Sequence, residues 1–325
     1  MSTQRCARTA AFVLLFLALL ALGALLLRLN PLPRGIAPPP EGSPVSSGRL
    51  RVVTTVYPLY EFARQVAGEQ AEVVLLLPPG AEPHDWEPTP QEVAMLRSAD
   101  LFIYNGAGLE PWVTQVRKTL PARVAVVEAS RGLPLLEEEG APDPHVWLDP
   151  TLAQRQVEAI RDGLSRVDPG HGAIYAARAA SYLQQLKELD RQFEEGLAAA
   201  RQRAFVSSHA AFGYLARRYR LEQVPIMGLS PEAEPAPERL AELVQLCRRL
   251  GIRYVFFETL VSPRVAETLA REVGAHTLVL NPLEGLTEEE LRQGKDYLAV
   301  MRENLRNLQV ALGVSGLEPA QGDAR

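Results

Sequence analysis

The stretch Val52–Val66, "VVTTVYPLYEFARQV", decides the fold. Its first half is a short apolar run rich in β-branched residues, the pattern of a buried strand, and its second half carries apolar residues at helical spacing. A second copy of the rhythm appears at Ala204–Tyr219, "AFVSSHAAFGYLARRY". Two strand-then-helix units so far apart point to two similar α/β lobes.

Working outward, "EVVLLL" reads as the next strand, and Thr89-Pro90 supplies an N-cap and first-turn proline for the helix "QEVAMLRSA". Strands "DLFIYN" and "RVAVVE" follow, and strands separated by helices imply a parallel sheet. From Ile174 to Arg201 there is no proline, and Tyr175, Tyr182, Leu186, Leu189, Phe193 and Leu197 fall on one face. That segment is expected as one helix, a rigid spine between the lobes. The βα rhythm then resumes with "RAFVSSH", "IRYVFFE" and "HTLVLN", with Ser262-Pro263 repeating the cap chemistry and "GKDYLAVMRENLRNLQVAL" closing the chain as a helix.

The expected organisation is an N-terminal signal or anchor (1–29), a proline-rich tether (30–50), an α/β lobe (51–168), a spine (169–202), a second α/β lobe (203–315) and a disordered tail (316–325). Arg5 and Arg8 precede the apolar run Ala10–Leu27 and Arg28 follows it, so the chain is expected to be exported. The run is long enough to stay as a membrane anchor, with a cleaved signal as the alternative. At 325 residues the chain is long enough for two lobes each to bury its own core. The first 34 residues hold four arginines and no acid, leaving 30 basic and 39 acidic side chains beyond them. That balance argues against nucleic acid as a partner and favours cations over anions. Cys6 lies before the apolar run and Cys247 in the helical pattern "LVQLCRRL", so no disulfide framework exists and Cys247 is expected in the core.

Ligands of parallel α/β sheets bind beyond the carboxyl ends of the strands. There stand His84 in "PPGAEPHDWEPTP", His145 in "APDPHVWLDP" before the spine, His209 directly after "AFVSS", and Glu284 in "NPLEGLT". Three imidazoles and a carboxylate suit Zn²⁺ better than Mn²⁺, Mg²⁺ or Ca²⁺, which favour oxygen. Four protein donors leave no open position, so the set would hold metal rather than catalyse. His171 and His276 read as a helix-start and a strand-start residue. Asp85, Asp143 and Asp149 border the histidine loops, and one of them could hold a histidine's second nitrogen, with a solvated turn or a helix N-cap as the alternative for each. Trp86 and Trp147 read as wall packing, and Glu137–Glu139 as a solvated turn.

With "PPGAEPHDWEPTP", "DPHVWLDP", "SSHAAFGYLARRY", "GLSPEAEPAPERLAEL" and "LNPLEGLT" in order, the chain from about Arg51 to Leu312 resembles the solute-binding proteins of zinc ABC transporters. The resemblance implies two α/β lobes joined by a rigid helix, a metal site in the cleft between them, and His84, His145 and His209 as zinc ligands, with Glu284 or water as the fourth. It implies an ABC permease as partner, an extracytoplasmic location and action as a monomer, not an enzyme. The manganese and iron branch usually carries a carboxylate where this chain has His209. Two departures stand out: no histidine-rich loop precedes His145, and no lipid-accepting cysteine follows the apolar run. A manganese or iron receptor, a metal-binding adhesin and a zinc hydrolase are the competing readings, the last lacking any H-E-x-x-H signature.

Overall fold

The computed structural model describes residues 49–314 apart from 139 and 232–234. The expected anchor, the disordered tail and the tether up to residue 48 therefore lie outside the described residues, while Leu50, placed at the tether's end, opens the first strand. Among those described, no helix is long and apolar enough to cross a membrane.

The first lobe runs β1 (Leu50–Thr54), α1 (Tyr57–Ala67), β2 (Ala71–Leu75), α2 (Pro90–Ser98), β3 (Leu101–Tyr104), α3 (Val113–Arg117) and β4 (Ala125–Glu128). A small ribbon, β5 (Glu137–Glu138) with β6 (Ala141–Pro142), and the helices α4 (Pro150–Val167) and α5 (Gly172–Ala198) follow. The second lobe runs β7 (Ala204–Ser207), α6 (Gly213–Tyr219), β8 (Glu222–Pro225), α7 (Pro237–Leu250), β9 (Tyr254–Phe257), α8 (Arg264–Val273) and β10 (His276–Val279). It ends with α9 (Glu288–Arg292) and α10 (Tyr297–Ala311).

Both main sheets are wholly parallel, ordered β2-β1-β3-β4 and β10-β9-β7-β8. Counted within each lobe, the order is the same: second, first, third, fourth strand. The echo between Val52–Val66 and Ala204–Tyr219 is thus a repeat of topology as well as of pattern. In each sheet the chain reverses direction between the first and third strands, where parallel sheets offer a crevice for ligands.

The helices form where local chemistry favours them. Thr89 accepts the Glu92 amide while Glu92 reaches back to the Thr89 amide, a complete capping box ahead of α2. Ser262-Pro263 does not repeat this: Pro263 itself occupies the cap position of α8, with no side-chain cap bond, and Ser262 falls one residue too early. The spine α5 has 27 residues, roughly 40 Å at 1.5 Å per residue, and buries Tyr175, Ala179, Tyr182, Leu186, Leu189, Phe193 and Leu197. It packs against α1, α4 and α10.

Two expectations are corrected here. His145 does not lead into the spine: an 18-residue helix, α4, intervenes. The lobes also do not bury separate cores, because one continuous cluster runs from Val52 through the spine to Leu312. Smaller clusters fill the outer faces of the two sheets, and Cys247 lies in the second lobe's.

Candidate metal centre

Each candidate donor is delivered by a different piece of backbone. His84 sits in the long connection between β2 and α2, whose Gly80 amide donates to the Leu286 carbonyl at 3.1 Å. His145 precedes a single turn of 3-10 helix, Val146–Leu148, that ends in the cap of α4. Its segment is bonded to the second lobe on several sides. Tyr214 Oη donates to the Asp143 carbonyl (2.8 Å), Trp147 Nε1 donates to the Pro282 carbonyl (2.7 Å), and Tyr297 Oη donates to the Trp147 carbonyl (2.5 Å).

His209 follows β7 by two residues. The β7–β9 register pairs Val206 with Val255, so three residues further on His209 faces Glu258. Glu284 is offered by a strained turn: Leu283 before it has φ +63°, a left-handed conformation unfavourable for a branched side chain by about 1–2 kcal/mol. Asn281 Oδ1 accepts the Leu283 amide at 2.7 Å, and Asn304 grips Asn281 through both its amide and carbonyl groups, which holds the turn in place. Strain of this kind at a ligand clamp is a common use of backbone energy.

These loops bring four side chains to one point. His84 Nε2 lies 3.3 Å from His145 Nε2, which lies 3.4 Å from His209 Nε2. Glu284 Oε1 stands 2.9, 2.8 and 3.6 Å from the three nitrogens in the order His84, His145, His209. All four donor atoms lie within 4.8 Å of one another. A tetrahedral Zn²⁺ with arms of roughly 2.0–2.1 Å has ligand-to-ligand edges of about 3.3–3.4 Å, and the five separations above, 2.8 to 3.6 Å, scatter around that size. His145, His209 and Glu284 are buried, while His84 keeps 10% of its side chain accessible.

The hydrogen bonds behind the imidazoles set their direction. Asp143 Oδ1 takes both the backbone amide (2.9 Å) and Nδ1 (2.8 Å) of His145. Glu258 takes Nδ1 of His209 with both oxygens, each at 2.8 Å. A proton held on Nδ1 leaves Nε2 as a lone pair. Two such lone pairs 3.4 Å apart repel unless positive charge lies there, a proton in the metal-free protein or a metal ion in its place.

The electrostatics agree. Burial opposes charge on His145, but Asp143 and Glu284 outweigh it and lift its pKa from 6.5 to about 9. His209 is likewise raised well above its ordinary value, burial being overcome by Glu258 and Glu284. Burial disfavours the Glu284 anion, yet the bonds from His145, His209 and His84 hold its pKa well below the carboxylate range. Glu82, by contrast, is pushed up to about 8 by burial and by the nearby Glu284 charge. The pocket stabilises a cation, and an arriving metal ion competes with protons for it.

All four donors read from the sequence converge. Of the three aspartates beside the histidine loops, Asp143 is the one that takes a histidine's second nitrogen. Asp85 and Asp149 do not: Asp85 is exposed, and Asp149 is the N-cap of α4, accepting the Thr151 amide at 2.8 Å. Glu258, which holds His209, was not among the candidates, because its role depends on strand register that no local pattern reveals. His171 bonds Asp168 at the start of the spine and His276 opens β10, both away from the cluster. Trp147 is buried beside His145, Trp86 packs on Trp112, and Glu137 and Glu138 are exposed in the ribbon rather than in a simple turn.

Two lobes of identical strand order over a buried three-histidine, one-carboxylate cluster have the architecture of a two-lobed solute-binding protein, with the donor chemistry of a zinc site. The chain belongs to the ZnuA family, zinc-uptake complex component A, periplasmic, whose model matches residues 52–311. It is 40% identical over 299 residues to zinc-binding protein AdcA of Streptococcus pyogenes serotype M1, covering 84% of this chain and 58% of that protein. It is 42% identical over 289 residues to high-affinity zinc uptake system protein ZnuA of Bacillus subtilis strain 168, covering 84% and 91%. The crystal structure of the Zn(II)-bound ZnuA-like domain of Streptococcus pneumoniae AdcA superposes with a TM-score of 0.74 at 45% identity, covering 82% of this chain and 99% of that one. The chain therefore spans a little under three fifths of the AdcA relative's length, and nearly all of the ZnuA relative.

Proposed function

We propose that this protein captures Zn²⁺ outside the cytoplasm through His84, His145, His209 and Glu284 and hands it to an ABC-type permease for uptake. The observation that carries the reading is the pair of imidazoles whose Nδ1 atoms are tied to buried carboxylates. Their Nε2 atoms face each other at 3.4 Å with Glu284 Oε1 alongside, an arrangement that calls for a cation. Three nitrogens and one oxygen favour Zn²⁺ over harder ions. The burial of the donors and their number support binding without catalysis, since hydrolytic zinc needs an open position. The family and the names of the relatives support the same cargo.

The apolar run Ala10–Leu27 and the proline-rich segment after it serve as anchor and tether in this reading, keeping a monomeric receptor near its permease. The test is Zn²⁺ titration of the purified protein with thermal unfolding as readout. A hundredfold excess of ion over Kd stabilises the fold by about 2.7 kcal/mol. A melting temperature unmoved by Zn²⁺ refutes the proposal.

A further inference from the structure

Two of the three ligand histidines stand in the same triplet, an acid, a proline and the histidine: Glu82-Pro83-His84 and Asp143-Pro144-His145. In both, the acid folds forward over the proline to accept the histidine's backbone amide, at 3.0 Å from Glu82 Oε1 and 2.9 Å from Asp143 Oδ1. Proline fixes its own φ and biases the residue before it to extended backbone, so the acid is held in reach of the residue two positions on. In the second triplet the same carboxylate also takes the ring Nδ1. In the first it does not, and among the described residues His84 Nδ1 has no hydrogen-bond partner.

The unused half of Glu82 is visible. Its Oε2 is buried without a partner, a condition that costs free energy and that native proteins rarely leave unexplained. With Oε1 on the His84 amide and Oε2 buried, the whole carboxylate is held beside His84 rather than in solvent. The other two histidines each have a carboxylate on Nδ1. Glu82 is the acid placed to complete the set.

Building on the zinc reading, we propose that Glu82 is the positioning residue of His84: when the ion is bound, the imidazole turns its Nδ1–H onto Glu82 Oε2, as His145 does on Asp143 and His209 on Glu258. Glu82 does not touch the ion in this arrangement. It fixes the tautomer and direction of the donor with the greatest exposure.

The test uses the whole protein, with Zn²⁺ affinity from competition with a chromophoric chelator and histidine ring nitrogens followed by ¹⁵N NMR. Glu82→Ala and Glu82→Gln should weaken Zn²⁺ binding roughly 10–100-fold, the usual effect of losing a ligand's hydrogen-bond partner. Glutamine is no substitute, because the oxygen that accepts the His84 amide leaves an NH₂ group toward Nδ1. Glu82→Asp should hold affinity to within about threefold, since Asp143 shows that an aspartate here reaches Nδ1. A His84 Nδ1 proton should appear on zinc binding in wild type and in Glu82→Asp, and be lost to exchange in Glu82→Ala. Affinities of Glu82→Ala and Glu82→Gln within about twofold of wild type overturn the proposal. So does an unchanged Nδ1 signal in Glu82→Ala, or a Glu82→Asp variant as weak as Glu82→Ala. Absence of zinc binding by the wild type would instead sink the zinc reading itself.

Discussion

Raising the pH should weaken the metal-free fold while it strengthens zinc binding. His145 has a pKa near 9 in the native metal-free state against an ordinary 6.5, so the folded protein holds a proton there that the unfolded chain releases. The stabilisation is complete below pH 6.5 and is lost as pH rises to 9. A shift of that size is worth about 3 kcal/mol. For a chain of this size, at roughly 2–4 °C per kcal/mol, the melting temperature falls by about 10 °C. Glu82, raised to about 8, adds an effect of the same sign, because ionising it in place is unfavourable. Zinc must displace the protons held by His145 and, likewise, by His209, so its Kd should tighten at least about tenfold between pH 7 and pH 8. Scanning calorimetry with chelator and with Zn²⁺, from pH 6 to 9, reads both trends: the metal-free curve declines and the gap between the curves widens. A metal-free melting temperature that is flat or rising from pH 6.5 to 9 would refute the reasoning, as would a Kd unchanged between pH 7 and pH 8.

His145→Ala removes a donor outright and should raise the zinc Kd by more than about a hundredfold, beyond the range for supporting residues, as isothermal titration would register. Asp149→Ala should cost about 1 kcal/mol in denaturant unfolding through the lost cap of α4, with zinc affinity unchanged. Gly163→Ala, which in an open helix would stabilise, should destabilise by about 1–3 kcal/mol, because the new Cβ would meet Val127 Cγ2 at 2.7 Å; urea melts will show the sign. Trp147→Phe leaves the Pro282 carbonyl without its donor and should cost about 1–3 kcal/mol in the same assay.

Strands and donors were legible because each is marked by local chemistry. β-branched runs give strands, and a histidine held between prolines or set just beyond a strand stands out against its neighbours. The helix α4 was not placed, although its start was in view: Asp149 stood as either a histidine's partner or a cap, and Asp149-Pro150 is a cap and first-turn proline. The segment that follows, "TLAQRQVEAIRDGLSRV", places Leu152, Ala153, Val157, Ile160 and Leu164 at helical spacing, so the signal for a helix between His145 and the spine was present there as well. Glu258 was hidden for a deeper reason. It ends "YVFFE" like any polar residue leaving a strand, and its role comes from pairing with a strand about fifty residues earlier. The shared core was equally out of reach, since apolar periodicity says which face is buried and not which neighbour buries it.

That shared core sets an order of events for a chain that emerges from its N-terminus onward. Phe62 of α1 meets Tyr297 of α10 edge to face at 4.9 Å, and Met301, Leu305 and Leu308 lie in the same cluster as Val52 and Leu59. The first lobe emerges early but cannot close its interior until residues near 300 arrive. Completion of the fold therefore waits on nearly the whole chain, and a protein truncated ahead of α10 loses its first lobe along with its last helix.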